Sequence, residues 1–523
     1  MSKLTGGEAV VAALDAHGVN VVFGIPGTHN LPIYVALAKY GVRHVVTRHE
    51  QGAGFAADGW ARTTGRPGVC LTTTGPAVLN AATAMAQAYS DSIPVLLVSP
   101  GLPLNHPAAG NGYLHEVKNQ TAAMNAIVSY SHRVGSVEEI PAVVANAFAA
   151  MTSGRPRPVH VEIPLDLLDQ VAAVDLVDPI VLGPRVPAPS EVARAVTALT
   201  SAERPVIVAG GGSRGAEVQA LAERLGAPVV TTANGKGVVR GDHPLTVGSG
   251  LHHVAVSNLV RDSDLVLAIG TELAPSDLWA GPLDGPGTLI RIDIDAVTPN
   301  ANPDVNIVAD ADLAVRMLLE QLPELSDGQD RAAGARRLFG ENAQAEGAAY
   351  AGLTAALGRV LGEDGVLAGD STMACYYGAL GNVPAYRPGA FLFPTGLGTL
   401  GYGLPAAIGA KVARPQQSVV VVHGDGGIMF SVAELATAAQ LSLALPVVVV
   451  DNGGYGEIRN EMADRGDPVQ AVDLPSPDFA ALARSLGCYG VRVDDSSGLE
   501  ETLNTALEAD RPTLVHLPEE VAR

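Results

Sequence analysis

The sequence predicts an α/β protein of three doubly wound domains, each built on a parallel sheet. Three observations carry this reading. The chain has 523 residues, enough for about three domains of ~150 residues each. Short β-branched runs alternate with Ala/Leu-rich helical patterns almost throughout, the pattern of parallel sheets covered by helices on both faces. Two stretches break that rhythm: the Pro-rich, aperiodic LVDPIVLGPRVPAPS at 176–190, and the polar, charge-dense LPELSDGQDRAAGARRLFGENAQAEG at 322–347. Read as linkers, they divide the chain into domains at 1–178, 190–322 and 347–523.

Strands are expected in the first domain at VNVVF, VRHVV, PGVCLTT and IPVLLVS. The second should contain RPVIVAGGG, APVVTT, DLVLAIG and TLIRIDID, and the third GVLAGD, SVVVVHGDG, LPVVVVDN and PTLVHL. Each is a short apolar run bounded by turn residues.

Composition narrows the function classes. Hydrophobic residues make up 47% and charged residues 17%, which is ample core material. A net charge of −21 argues against nucleic acid or an anionic membrane as partner. The acidity reads as a solvated surface. Cys70, Cys375 and Cys488 are far apart, without metal spacing, and are expected to be buried thiols. The N-terminal residues resemble no signal peptide, and no apolar run reaches membrane-spanning length. A cytoplasmic location is expected.

The chemistry concentrates in GDGGIMFSVAELATAAQLSLALPVVVVDNGG, residues 424–454. One buried strand delivers GDGG to its C-terminal end; a helix follows, and the next strand ends in Asp-Asn. In a right-handed βαβ unit both strand ends lie on one sheet edge, where open α/β sheets bind ligands. Asp425 and Asn452 can therefore converge. A carboxylate, an amide oxygen and a backbone carbonyl form a hard partial shell that suits Mg2+, completed by waters and phosphate oxygens. Gly426 and Gly427 let backbone N–H groups approach an anion. A lone GDG is usually only a sharp turn; the paired Asp-Asn favours a Mg2+-diphosphate anchor.

These residues resemble the cofactor motif of thiamine-diphosphate enzymes, in particular the 2-oxo acid decarboxylase and acetolactate synthase-like family. The resemblance implies metal ligation by Asp425, Asn452 and the Gly454 carbonyl. It extends to TRHEQGAGFAADGWAR, where Glu50 would hydrogen-bond the aminopyrimidine, although an acid at a helix start is also favoured by the helix dipole. It extends to TTTGPAVLNAATAMAQAYSDSIPVLLVSP, in which Thr73 is a cofactor contact and stands where benzoylformate decarboxylases carry His. In GLGTLGYGLPAAIGA, the Gly398 carbonyl would accept from the exocyclic amine and Leu400 would impose the cofactor's bend. In GDSTMACYY, Ser371 and Thr372 would add diphosphate contacts, with Met373 in place of a frequent Gln. The domains become pyrimidine-binding, central Rossmann-like and diphosphate-binding.

The implied activity is thiamine-diphosphate- and Mg2+-dependent, non-oxidative decarboxylation of a 2-oxo acid through an enamine, with release of an aldehyde. A protonated Glu50, its pKa raised by an apolar pocket, would favour the imino tautomer that deprotonates the thiazolium carbon. Two alternatives remain: an acetolactate-synthase-like carboligase that joins the enamine to a second carbonyl, and a catalytically silent cofactor-binding subunit. A plain NAD-dependent dehydrogenase is disfavoured, because no suitably placed GxGxxG follows a first strand. In the resembling family the site forms across a subunit interface, so a homodimer at least, and a homotetramer as dimer of dimers, is expected.

Substrate residues are read from loops. FGIPGTHNLPIY supplies Thr28 and His29, and GNGYLHEVKNQ supplies His115, where carboligases of the family carry FQE. His115 could relay a proton or be a surface-loop residue. In YGEIRNEMADRGDP, Glu457 and Glu461 share a helix face. They could form an acidic pocket for a cationic 2-oxo acid, and GYGEIRNEM with GYLHEVKNQ resembles decarboxylases acting on the oxo acid of arginine. A solvated helix face accounts for the same charges. The GGG at 210–212 reads as a turn, and no FAD is expected.

Overall fold

The structure, a computed structural model, describes residues 2–107, 110–279, 281–283, 285, 287–324 and 328–523. Three six-stranded parallel sheets organise it. In the first, the strand order is Arg43–Val46, Val21–Gly24, Gly68–Leu71, Val95–Gly101, Val159–Pro164, Tyr130–Arg133. In the second it is Thr246–Ser249, Val229–Thr231, Pro205–Ala209, Leu265–Ile269, Thr288–Asp293, Val305–Val308. In the third it is Phe391–Leu392, Val366–Gly369, Val419–Gly424, Pro446–Asp451, Thr513–Pro518, Tyr489–Arg492. A two-stranded antiparallel sheet pairs Ser2–Thr5 with Val171–Val174.

The first and third sheets share one winding: the first strand in sequence lies second in the sheet, the next goes to its outer side, and the third returns to its inner side. In the central sheet the first strand lies third, the next two go outward in turn, and the fourth returns to its inner side. The order reverses between those neighbours, and the reversal opens a crevice at the strands' C-terminal ends. In the first sheet the crevice lies beyond Gly24 and Leu71, and in the third beyond Gly369 and Gly424. In the central sheet backbone fills the corresponding place: a Cβ on Gly210 would stand 2.3 Å from the Gly270 carbonyl oxygen, and one on Gly212 would stand 3.0 Å from the Gly270 Cα. The GGG run is therefore a close-packed turn.

The chain divides into two compact units. One comprises residues 1–183, 396–416 and 431–443; the other comprises 184–395, 417–430 and 444–523. The first sheet lies in the first unit, the other two in the second. Within the first unit, helix Glu50–Thr64 packs on helix Gly403–Ala413. The contact needs glycine on both sides, since a Cβ on Gly59 would fall 2.0 Å from the Ala406 carbonyl oxygen and one on Gly409 1.9 Å from that of Ala56.

The twelve expected strands are present, and each sheet holds two more. Val159–Pro164 was hidden by its polar residues: His160 and Glu162 are buried in VHVEIP. Tyr130–Arg133 and Tyr489–Arg492 are edge strands without apolar runs. Residues 175–188 are without regular structure. The charge-dense stretch at 322–347, expected as a linker, instead forms the helix Gln329–Glu346. It buries a thin stripe of Ala332, Phe339 and Ala343, and the charges around that stripe masked its period. The cysteines are free and buried. No helix among the described residues is long and apolar enough to cross a membrane.

Candidate active site

Two groups of side chains gather at the two crevices, one in each unit. In the first unit, Glu50 opens the helix Glu50–Thr64, with His49 as N-cap accepting from the Gln51 N–H. Asn80 Nδ2 donates to Glu50 Oε2 at 2.9 Å. The turn that presents Glu50 is held from behind by Glu434. Its Oε1 accepts from the Arg48 and His49 N–H groups at 2.9 and 3.0 Å, and its Oε2 accepts from the Thr437 hydroxyl at 2.6 Å. Burial pushes the Glu434 carboxyl up, and these hydrogen bonds oppose the rise. A Cβ on Gly52 would strike Glu434 Oε1 at 2.4 Å, so glycine is what lets the clamp close.

The segment carrying Gly398 and Leu400 is tied at three points. The Gly396 N–H donates to Asp91 Oδ1 at 2.8 Å, the Thr399 hydroxyl to Gln87 Oε1 at 2.9 Å, and the Tyr402 hydroxyl to Asp58 Oδ1 at 2.6 Å. These anchors join a buried ionic network in which Arg62 bridges Asp58 at 2.6 Å and Asp91 at 2.7 Å. Between the ties Gly398 adopts φ +65°, a left-handed conformation suited to glycine. Gly398 is exposed and Leu400 half-buried.

At the first sheet's crevice, Thr28 begins the turn Thr28–Asn30 and is exposed, whereas His29 is buried. The Thr74 hydroxyl joins two imidazoles, 2.6 Å from His29 Nδ1 and 3.2 Å from His115 Nδ1. The rings lie edge to face with centroids 5.2 Å apart. Burial, and then the neighbouring His115, lower the His29 pKa. His115 sits at φ +63°, in the left-handed region, an uncommon backbone for a residue other than glycine, although His tolerates it better than most. Thr73 lies against the Gly27 turn, and its buried hydroxyl has no hydrogen-bond partner.

In the second unit, the register pairs Gly424 with Val450, so Asp425 and Asn452 follow adjacent strand ends. The Asn452 and Gly426 N–H groups face the Asp425 carboxyl. Burial, and then the charge of Asp451, push its pKa up to about 6. Asn452 Oδ1 is buried without a partner. The Gly454 carbonyl oxygen stands 3.7 Å from where a Gly426 Cβ would be. Gly426 and Gly427 are buried in the single helical turn Asp425–Ile428. Asp451 is engaged elsewhere, accepting from the Gly453 N–H, the Ser476 hydroxyl and His516 Nε2 at 3.0, 2.7 and 2.8 Å.

Ser371 and Thr372 follow the strand Val366–Gly369. The Thr372 hydroxyl abuts Gly424, 3.0 Å from where its Cβ would stand, and Ser371 lies beside the Tyr376 hydroxyl. Glu457 Oε1 accepts from the Tyr377 hydroxyl at 2.7 Å, while its Oε2 is buried without a partner. Glu461, on the same helix Gly456–Asp464, is exposed. The two acids share a helix, but solvent takes one and the protein the other.

The second group fits a hard cation with a phosphate ester. It offers a carboxylate, an orphaned amide oxygen and a backbone carbonyl, all oxygen donors, of the kind Mg2+ takes alongside water and phosphate oxygens. The comparisons agree with this chemistry. Residues 4–123 match the thiamine pyrophosphate enzyme N-terminal TPP binding domain, 192–318 the central domain, and 368–517 the C-terminal TPP binding domain. A probable 2-ketoarginine decarboxylase of Pseudomonas aeruginosa is 41% identical over 99% of this chain and 95% of its own length. The acetolactate synthase isozyme 2 large subunit of Escherichia coli is 36% identical over 98% and 95%. A probable acetolactate synthase large subunit of Methanocaldococcus jannaschii is 33% identical over 98% and 92%.

The chain belongs to the thiamine pyrophosphate enzyme family.

Four residues of this thiamine pyrophosphate enzyme escaped the sequence reading. Glu434 lies in SVAELATAAQLSLA, which was read only as a helix between two strands; a lone acid before the apolar run LATAAQ was the available signal. Asn80 and Thr74 sit in the quoted block TTTGPAVLN without any spacing that marks them. Glu519, which accepts from the Tyr350 hydroxyl at 2.6 Å and lies 3.5 Å from Asn452 Nδ2, follows the last strand and comes to the site only through the sheet.

Proposed function

We propose that this thiamine pyrophosphate enzyme decarboxylates a 2-oxo acid without net oxidation, with Mg2+ as the metal, releasing CO2 and an aldehyde. Asp425, Asn452 and the Gly454 carbonyl would hold the metal, and Ser371, Thr372, Gly426 and Gly427 the diphosphate. Glu50, Thr73, Gly398 and Leu400 would hold and bend the remainder of the cofactor. Bound thiamine diphosphate supplies the carbanion stabilisation and the electron sink. The observation that carries the metal assignment is the buried, unpartnered Asn452 Oδ1, on the residue whose N–H faces the Asp425 carboxyl.

The protein's own part is positioning and proton traffic. The Glu434 clamp fixes the Glu50 turn, so that the Glu50 carboxyl would be held in place for the ring nitrogen of a bound cofactor. The carbon–carbon bond to the carboxylate breaks, CO2 departs, and a proton is required at the carbon that held it. His29, lowered by burial, exchanges protons with His115 through the Thr74 hydroxyl, which makes Thr28, His29 and His115 the substrate-side group. Redox balance requires no flavin in this conversion. The unpartnered Glu457 oxygen and the 41% identity to a probable 2-ketoarginine decarboxylase support a guanidino or amino 2-oxo acid as substrate, with Glu461 at the outer edge.

A carboligase outcome, in which a second carbonyl compound takes the place of the proton, is supported by the acetolactate synthase relatives. The family's sites form across subunits, so the same reading makes the enzyme a homodimer at least, and a homotetramer as dimer of dimers, in the cytoplasm. The test is product analysis by proton NMR with thiamine diphosphate, Mg2+ and a panel of pyruvate, benzoylformate, branched-chain and guanidino 2-oxo acids. An aldehyde from the guanidino acid is expected. An acetohydroxy acid from pyruvate would install the carboligase instead. No turnover of any acid, with Glu50→Gln indistinguishable, would refute both.

A further inference from the structure

Among the described residues, one cluster of metal-ligating side chains includes none of the residues assigned above. His252 and His253 precede the helix Val254–Arg261, and Glu346 ends the helix Gln329–Glu346. Glu346 Oε2 stands 3.4 Å from His252 Nε2 and 3.5 Å from His253 Nδ1. One donor atom from each of the three residues lies within 4.8 Å of the others. These separations are long for hydrogen bonds, which cluster at about 2.7–3.2 Å. They match the edge of a coordination tetrahedron: donors at about 2.0–2.1 Å from Zn2+ lie about 3.3–3.4 Å from one another.

The surroundings hold the imidazoles in place. The His252 and His253 side chains are 6% and 4% exposed, against 30% for Glu346. The Trp279 indole stacks on His252 with centroids 3.8 Å apart, and Phe339 meets His253 edge-on at 4.5 Å. Phe339 lies on the same helix as Glu346, so one element supplies both the wall and the carboxylate. Glu346 stands at the negative end of its helix, whose last turn has no basic residue. The carboxylate thus lacks the cation that such a position favours.

We propose that His252, His253 and Glu346 form a second metal site, with two nitrogen donors and one oxygen donor, for Zn2+ or a similar borderline transition-metal cation. The exposed side of Glu346 leaves the fourth position to water. The donor set separates this site from the oxygen-only group around Asp425, since imidazole suits Zn2+, Co2+ or Ni2+, and Mg2+ prefers oxygen. Metal binding would tie the turn at 250–253 to the end of the helix Gln329–Glu346. The proposal does not depend on the assigned reaction.

The test uses the full-length protein, stripped with chelator, reloaded with thiamine diphosphate and Mg2+, and titrated with Co2+. Expected is about one Co2+ per chain with the intense visible absorption of a four-coordinate site, displaced by Zn2+ and not by excess Mg2+. Glu346→Gln, an exposed and near-isosteric change, and His253→Asn should each abolish that absorption and leave thiamine-diphosphate fluorescence quenching unchanged. Glu346→Gln decides the matter alone if His253→Asn does not fold. No Co2+ absorption in the folded wild type, or wild-type absorption retained in either folded variant, would overturn the proposal.

Discussion

The Asn452 N–H faces the Asp425 carboxyl across two adjacent parallel strand ends, although 27 positions of chain separate them. Gly424 and Val450 share a register position, and each strand releases its functional residue one or two positions later. The relationship makes the pair a unit with an opposing cost. Burial and the Asp451 charge disfavour the Asp425 carboxylate in the protein alone, and a cation would reverse that.

Asp425→Asn is therefore expected to act in two directions. The metal-free variant should unfold at a higher temperature, by about 2 °C, because a buried charge is gone. Thiamine diphosphate with Mg2+ should bind at least about 100-fold more weakly, beyond the loss typical of outer-shell partners. Thermal unfolding and fluorescence titration measure the two effects. Unchanged cofactor affinity would remove Asp425 from the metal site.

His115→Asn tests the relay. Asparagine tolerates the left-handed backbone that His115 adopts at φ +63°. With the neighbouring imidazole absent, one cause of the lowered His29 pKa disappears. The His29 pKa rises, and the acidic limb of the pH–rate profile moves to higher pH. Turnover should fall by about tenfold or more, the range of a lost acid–base partner. A limb that stays in place would make His115 a loop residue only.

Glu457→Gln tests substrate charge. The Tyr377 hydroxyl can still donate to the amide oxygen, so the helix keeps its anchor. A charge-assisted hydrogen bond is worth about 1.5–3 kcal/mol, so kcat/KM for a guanidino 2-oxo acid should fall roughly 10–100-fold, with that for uncharged 2-oxo acids little changed. An equal loss for both kinds of acid would assign Glu457 to structure.

His160 links stability to pH. The imidazole is fully buried between the Ser99 and Ser131 hydroxyls at 2.8 and 2.7 Å. Burial holds its pKa down to about 3 in the fold, against about 6.5 in the unfolded chain. Between those values the unfolded state binds more protons, so stability falls as pH falls. From pH 7 to pH 5 this residue should remove about 2 kcal/mol. Urea unfolding at the two pH values should show a smaller loss for His160→Gln. An equal loss in both proteins would show that His160 is not the group responsible.

Much of this was legible along the chain because local signals carried it. GDG and DN each terminate a strand whose hydrophobic run is unmistakable. Glu50 and Gly398 were singled out by the resemblance of the motifs around them, since a helix-start acid or a lone glycine carries little signal alone. The reading failed where a signal was thin or mixed. Charges hid the helix Gln329–Glu346, buried His160 and Glu162 disguised a central strand, and Glu434 and Thr74 carry no spacing of their own. Glu457 and Glu461 were alike in sequence, and burial alone separated them.

The sequence by itself determined the three parallel α/β sheets, because hydrophobic period is a property of neighbouring residues, and its motifs gave the cofactor class through their resemblance to thiamine-diphosphate enzymes. The tertiary structure decided which groups face one another. Strand order placed Asp425 beside Asn452, the switch point of the first sheet brought His29 and His115 to one threonine, and a helix end brought Glu346 to two histidines. Those outcomes depend on which distant segments pack together, and the packing free energy is summed over the whole core rather than carried by any local run.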